Sequence, residues 1–127
     1  MDELLKLEAW LQTLDFSSWT DDEDEQSEWL SLRDAPVFDA HCMRVFSLVG
    51  IQEQDAPLDK AECAALENIR RIGFLKIRRV ALVNELADYA ADDFDLLARA
   101  ARVGFSDSWL DKLRAEYEAG RFPHGAL

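Results

Sequence analysis

The residues with the clearest capacity for chemistry are four carboxylates in two pairs. Asp59 and Glu62 stand three residues apart, and so do Glu85 and Asp88. On a helix, such a pair shares one face. Two pairs facing each other would supply the oxygen ligands that Mg²⁺ takes, and Mg²⁺ is the usual companion of phosphate substrates. Glu62 lies 11 residues before Gly73 and Glu85 lies 12 after it. A chain reversal at Gly73 would therefore bring the four acids to one level. A plainer assignment competes with this one. Asp59 and Glu62 have the spacing of an N-cap and its reciprocal partner, and Glu85 and Asp88 suit a solvated helix face.

The segment NELADYAADD, residues 84–93, resembles the second half of the metal motif of all-helical nucleoside-triphosphate pyrophosphohydrolases of the MazG type. The resemblance implies a Mg²⁺-dependent nucleotide pyrophosphohydrolase that uses Asp59, Glu62, Glu85 and Asp88. It covers these few residues and no more. The first half departs from the family pattern, which has a pair of Glu where this chain has Asp59 and Glu62. This enzyme is the alternative to the binding function argued below.

Other chemistries find no foothold. There is no glycine-rich phosphate loop, no nucleophile elbow and no Ser/His/Asp or Cys/His set. His41, Cys42, Cys63 and His124 lack zinc spacing. His41 and Cys42 are adjacent and point to different sides of a helix. The run Asp21-Asp22-Glu23-Asp24-Glu25 lacks the turn glycine and the terminal bidentate Glu of a calcium loop. No metal and no cofactor are expected. A helix-turn-helix over residues 92–119 would place Asp111, Glu116 and Glu118 in a groove against Lys112 and Arg114, a poor arrangement for reading bases.

Charge is the unusual feature. The chain of 127 residues carries a net −12, unevenly spread. Residues 1–68 hold 17 of the 26 acids and 4 of the 14 bases. Between Ile69 and Leu82 there is no acid, but Arg70, Arg71, Lys76, Arg78 and Arg79 are all present. That balance opposes broad phosphate-backbone binding and anionic membranes. It suits steering toward a basic partner. No apolar run approaches the ~18 residues of a membrane span. The acidic amphipathic start MDELLKLEAW is no signal peptide. Cys42 and Cys63 fall in apolar helical patterns and are expected as buried free thiols of a cytoplasmic protein.

The elements follow from apolar spacing. Leu4, Leu7, Leu11 and Leu14 form one stripe, which predicts a first helix over residues 2–15. A short helix is expected at about 24–33, with Trp29, Leu30 and Leu32. Pro36 opens a third, with Phe38, Cys42, Val45 and Val49 inward and Gly50 as its cap. Residues 51–58 are expected as a loop. The stretch 59–90 is the most apolar and is expected as the buried centre. It is either one long helix through Gly73 or two antiparallel helices meeting there, with Ile69, Val80, Val83 and Leu86 in the core. The basic residues within it either pair with carboxylates elsewhere or form a small anion site. Asp92, Asp93 and Asp95 suit the start of a further helix that Gly104 ends. The last helix begins near Ser106 and Asp107, and Gly120 stops it. The tail RFPHGAL is expected to be loose. No segment alternates with period two.

The sequence therefore predicts an all-α, compact single-domain bundle of five to seven helices spanning residues 1–127. The expected function is a non-enzymatic protein-binding module, an acidic inhibitor of the immunity-protein or antitoxin type that covers a basic surface of a toxin or effector. The expected partner-binding residues are Trp19, Asp21, Asp22, Glu23, Asp24, Glu25 and Trp29. The acids would steer and the tryptophans would anchor. The five acids are not expected to serve the fold.

Overall fold

Asp59 and Glu62 form the capping box that their spacing predicts, in a computed structural model that describes residues Met1–Leu127. The Glu62 N–H donates to Asp59 Oδ1 at 2.8 Å, and the Asp59 N–H donates to Glu62 Oε1 at 3.1 Å. They start α4, Lys60–Arg78. The helix passes straight through Gly73, and the chain reverses at residues 79–84 instead. The stretch 59–90 is thus split between α4 and the next helix, α5, Glu85–Val103.

α4 buries Leu66, Ile69, Gly73 and Ile77 as one stripe and leaves Leu75 exposed. The true centre is α5, which buries eleven of its nineteen residues. Ile69 and Leu86 are fully buried. Val80 and Val83 are only half-buried, because they lie on the reversal rather than on a helix face. The two helices run antiparallel: Glu62, at the start of α4, bonds Arg102, at the end of α5.

The remaining elements wrap this pair. α1, Asp2–Gln12, lays Leu4, Leu7 and Leu11 against it, and Leu14 follows just beyond the helix end. Lys76 of α4 donates to the carbonyls of Gln12 and Leu14 at 3.1 and 2.7 Å, where the end of α1 leaves acceptors unpaired. α2, Glu23–Asp34, and α3, Pro36–Gln54, are joined at Ala35, whose extended backbone the following proline demands. α3 continues through Gly50, so its last turn occupies part of the expected loop. α6, Ser108–Glu118, starts at Asp107, whose side chain accepts the Leu110 N–H. Gly104 and Gly120 close α5 and α6 with φ of 69° and 76°, as left-handed caps. One core cluster of 24 residues draws on all the helices except α2.

Two features differ from expectation for physical reasons. The tail is packed: Phe122 is fully buried and Pro123 is buried. Aromatic area of that size outweighs the cost of ordering a short segment. The turn at 79–84 is pinned by Gln26, which is wholly buried. Its amide donates to the Thr20 and Val80 carbonyls at 2.9 and 3.1 Å and accepts the Leu82 N–H at 2.7 Å.

Candidate partner-binding surface

The acidic run sits at the positive end of α2. Asp22 is the N-cap, its carboxylate accepting the Asp24 N–H at 2.9 Å and the Glu25 N–H at 3.4 Å. Glu23, Asp24 and Glu25 fill the first turn, where negative charge is favoured. Asp22 therefore does serve the fold, contrary to expectation. Asp21, Asp22, Glu23, Asp24 and Glu25 are all exposed, and none of them makes a salt bridge.

Trp19 and Trp29 lie beside this run and touch each other edge to face, ring centroids 5.1 Å apart. Each is half-buried. The Trp19 indole N–H donates to the Gly120 carbonyl at 2.9 Å. Trp29 stacks on Phe122 and on His124. Together with Glu25 and Arg121 they line a cavity of about 360 Å³. The expected site residues thus cluster at one end of the bundle, with the aromatic rings tied to the tail.

Beneath them lies a charge network that the sequence does not announce. Arg33 bonds Asp93, and the Tyr117 hydroxyl donates to the same carboxylate. Arg33 is 4 % exposed and Asp93 1 %. The guanidinium lies over the rings of Phe38, Tyr89 and Phe122, at 4.1, 5.0 and 5.3 Å from their centroids. Asp93 is mid-helix rather than at a helix start. The available signal is its place in the stripe Leu86, Ala90, Asp93, Leu97, at helical spacing. Burial pushes the Tyr117 hydroxyl well up, so it stays a donor.

The four carboxylates of the enzyme alternative do not meet. Because the chain reverses at 79–84, Glu85 and Asp88 lie at the turn, and Asp59 and Glu62 lie at the opposite end of α4. Nineteen residues of helix separate the two levels, roughly 28 Å. Glu62 is instead held by Arg102 and by the capping box, and those bonds bring its carboxyl down to about 2. The pyrophosphohydrolase reading fails on this geometry.

The basic cluster is mostly spoken for. Arg70 pairs with Asp92 and approaches Asp95 at 3.7 Å, and Arg71 donates to Asn68 at 2.7 Å. Lys76 caps α1. Arg78 and Arg79 are exposed. The thiols differ from expectation: Cys63 is exposed and Cys42 half-buried. His41 is exposed and stacks on Trp109.

α3 presents a surface that its apolar content did not distinguish from core. Val37, Met43, Phe46 and Ile51 are each 57–61 % exposed. Between α3 and α5 lies a second cavity, of about 350 Å³, lined by Asp39, Cys42, Met43, Phe46, Asp92 and Asp95 among others. Burial, with the field of Asp93, pushes the Cys42 thiol up to about 11, so it is neutral.

No helix is long and apolar enough to cross a membrane. No curated protein and no solved structure gives a significant match to the chain. Residues 3–124, nearly the whole chain, match the family model described as Immunity protein PIM1, and this helical binding module belongs to that family.

Proposed function

We propose that this chain is a non-enzymatic inhibitor that binds a toxin by covering a basic surface of it with the acidic start of α2. The observation that carries this reading is the run Asp21–Glu25, which is exposed, free of salt bridges and flanked by an aromatic cavity. Unpaired surface charge of one sign accelerates encounter with the opposite sign. Trp19 and Trp29 then supply the area that holds the complex together. Two free cysteines support action in a reducing cytoplasm.

The test is association kinetics with the toxin against which the chain protects, at low and high salt. Asp21, Glu23, Asp24 and Glu25 are changed to Asn or Gln, and Asp22 is left to cap the helix. Association slows several-fold at low salt, and the difference shrinks once the Debye length falls well below ~10 Å. An unchanged association rate at low salt rejects this surface.

A further inference from the structure

α3 carries apolar side chains on both of its faces. Phe38, Val45 and Val49 go into the core. Yet half of the ten large apolar side chains that the chain exposes lie on this one helix: Val37, Met43, Phe46, Leu48 and Ile51. Met43, Ser47 and Gly50 run along the middle of the outer face, with Phe46 to one side and Ile51 to the other. Exposed apolar surface on this scale, a few hundred Å², marks a place that another molecule covers.

Gly50 is a second observation on the same face. It lies inside the helix and has no left-handed φ to demand a glycine, and glycine weakens a helix. A Cβ built there would meet nothing within 4 Å, whereas one on Gly73 would strike the Phe94 ring. The packing of this chain thus accounts for Gly73 and leaves Gly50 without a reason. Gly50 and Phe46 border one depression beside Leu96 and Arg99, about 290 Å³ in volume. A glycine there admits the close approach of another chain.

Charge decides what that chain is. The stretch Ala40–Gln52 contains none of the 26 acids. Its one guanidinium, Arg44, is held by Asp107 at 2.8 and 3.2 Å. The face therefore offers a basic partner no complementary charge. The acids that do so are elsewhere: Gln26 ties their end of α2 to Val80 and Leu82, just before α5, whereas Phe46 and Gly50 sit beside Leu96, more than half-way along α5. A second copy has the opposite requirement. Two chains of net −12 repel each other, and they meet at least cost on a face without acids. A two-fold axis also needs a patch that fits itself. Large apolar side chains one turn from a glycine meet that need.

We propose that α3 packs against α3 of a second copy about a two-fold axis between residues 46 and 50, with Phe46 of each copy at Gly50 of the other. Five part-exposed side chains fall short of the ~800 Å² per partner of a standard stable interface, so the dimer is weak and exchanges with monomer. The proposal does not depend on the function proposed above.

The test is sedimentation of the full chain without toxin, from about 1 to about 500 µM, at low and high salt. A dimer forms with a Kd on the order of 10–100 µM. It tightens as salt screens the repulsion between copies, the reverse of the salt response expected for toxin association. Phe46→Asp, at an exposed position, weakens it about ten-fold or more. Gly50→Leu is the sharper variant. It adds apolar area and a better helix former, so a merely sticky patch would associate more tightly. A packed two-fold contact instead loses its space, and the dimer weakens about ten-fold or more, while the urea midpoint of the dilute variant does not fall.

A chain that stays monomeric throughout, a dimer that Phe46→Asp leaves intact, or one that Gly50→Leu tightens overturns the proposal. A fall in the dilute midpoint of Gly50→Leu also overturns it, because Gly50 then has its reason within the chain. A monomer whose toxin complex is weakened by Phe46→Asp gives this face to the toxin and overturns it as well. If the dimer forms while no toxin binds, the proposed function fails and the dimer contact stands.

Discussion

Gly73 of α4 faces the ring of Phe94 in α5 so closely that a Cβ placed on the glycine would lie 2.2 Å from Phe94 Cδ2. The glycine is there to let the two central helices touch. This explains why α4 tolerates it mid-helix and why the chain does not turn at that point. Gly73→Ala adds helix propensity, about 1 kcal/mol. It also drives a methyl into a wholly buried ring, and overpacking of that kind costs about 1–3 kcal/mol. The contact is severe enough for the second effect to win, so the urea midpoint falls. A higher midpoint would show that the helices can separate freely.

The Arg33–Asp93 pair gives a second expected outcome. Both groups are buried, and Tyr117 completes the shell of Asp93. Removing one partner strands the other, at a cost of about 3–5 kcal/mol. Arg33→Met therefore destabilises strongly in chemical denaturation. Arg33→Met combined with Asp93→Leu recovers part of the loss, since no buried charge is then left unpaired. A double variant as unstable as the sum of the two single changes would show that the pair is not coupled.

These two relationships mark the limit of what the sequence discloses. Helix ends were legible because capping is local: Asp59 with Glu62, and the glycines at 104 and 120, act within a few residues of themselves. The stripe Leu4, Leu7, Leu11, Leu14 was legible for the same reason. Gly50 misled, because a glycine signals a cap only if the chain beyond it leaves the helix. Asp93 misled, because three aspartates close together look like a helix start, while their burial depends on Arg33, sixty residues away. The tail misled, because its composition gives no hint of the partner rings. Of the candidate site, the acids and the tryptophans were visible as types. The cavity between α3 and α5 was not, since the inward stripe Phe38, Cys42, Val45, Val49 does not tell which neighbours leave the other faces of α3 open.

Acid stability tests the Glu62–Arg102 pair. The hydrogen bonds from Arg102 and from the Asp59 N–H hold the Glu62 carboxyl at about 2, below its ordinary value. A depressed acid contributes stability that is present above its unfolded value and is lost as the pH falls through its folded one. The contribution of Glu62 thus fades between about pH 4.5 and about pH 2. Asp107, lowered by Arg44, acts in the same direction. Asp95, raised by burial, acts in the opposite one. Comparison with Glu62→Gln isolates the first effect. The variant has a lower melting temperature than the native chain at about pH 7, and the gap closes toward about pH 2. A gap independent of pH would mean that the charge on Glu62 contributes nothing.

Phe122 links the fold to the proposed anchor. It is 1 % exposed, lies 5.9 Å from the Trp19 ring centroid and 6.4 Å from that of Trp29, and sits under the Arg33 guanidinium. Phe122→Ala removes the ring that both tryptophans lean on. Truncation of a buried Phe costs about 3–5 kcal/mol, a large share of the total for a domain of this size. The loss is read in urea denaturation. A second reading comes from tryptophan fluorescence of the folded variant, which shifts toward longer wavelength as Trp19 and Trp29 gain water. The third is kinetic. If these tryptophans anchor the partner, the variant dissociates from the toxin faster, while its association rate is unchanged because the acidic run is intact. A variant that keeps the native dissociation rate despite the fluorescence shift would remove Trp19 and Trp29 from the interface and leave them as parts of the core.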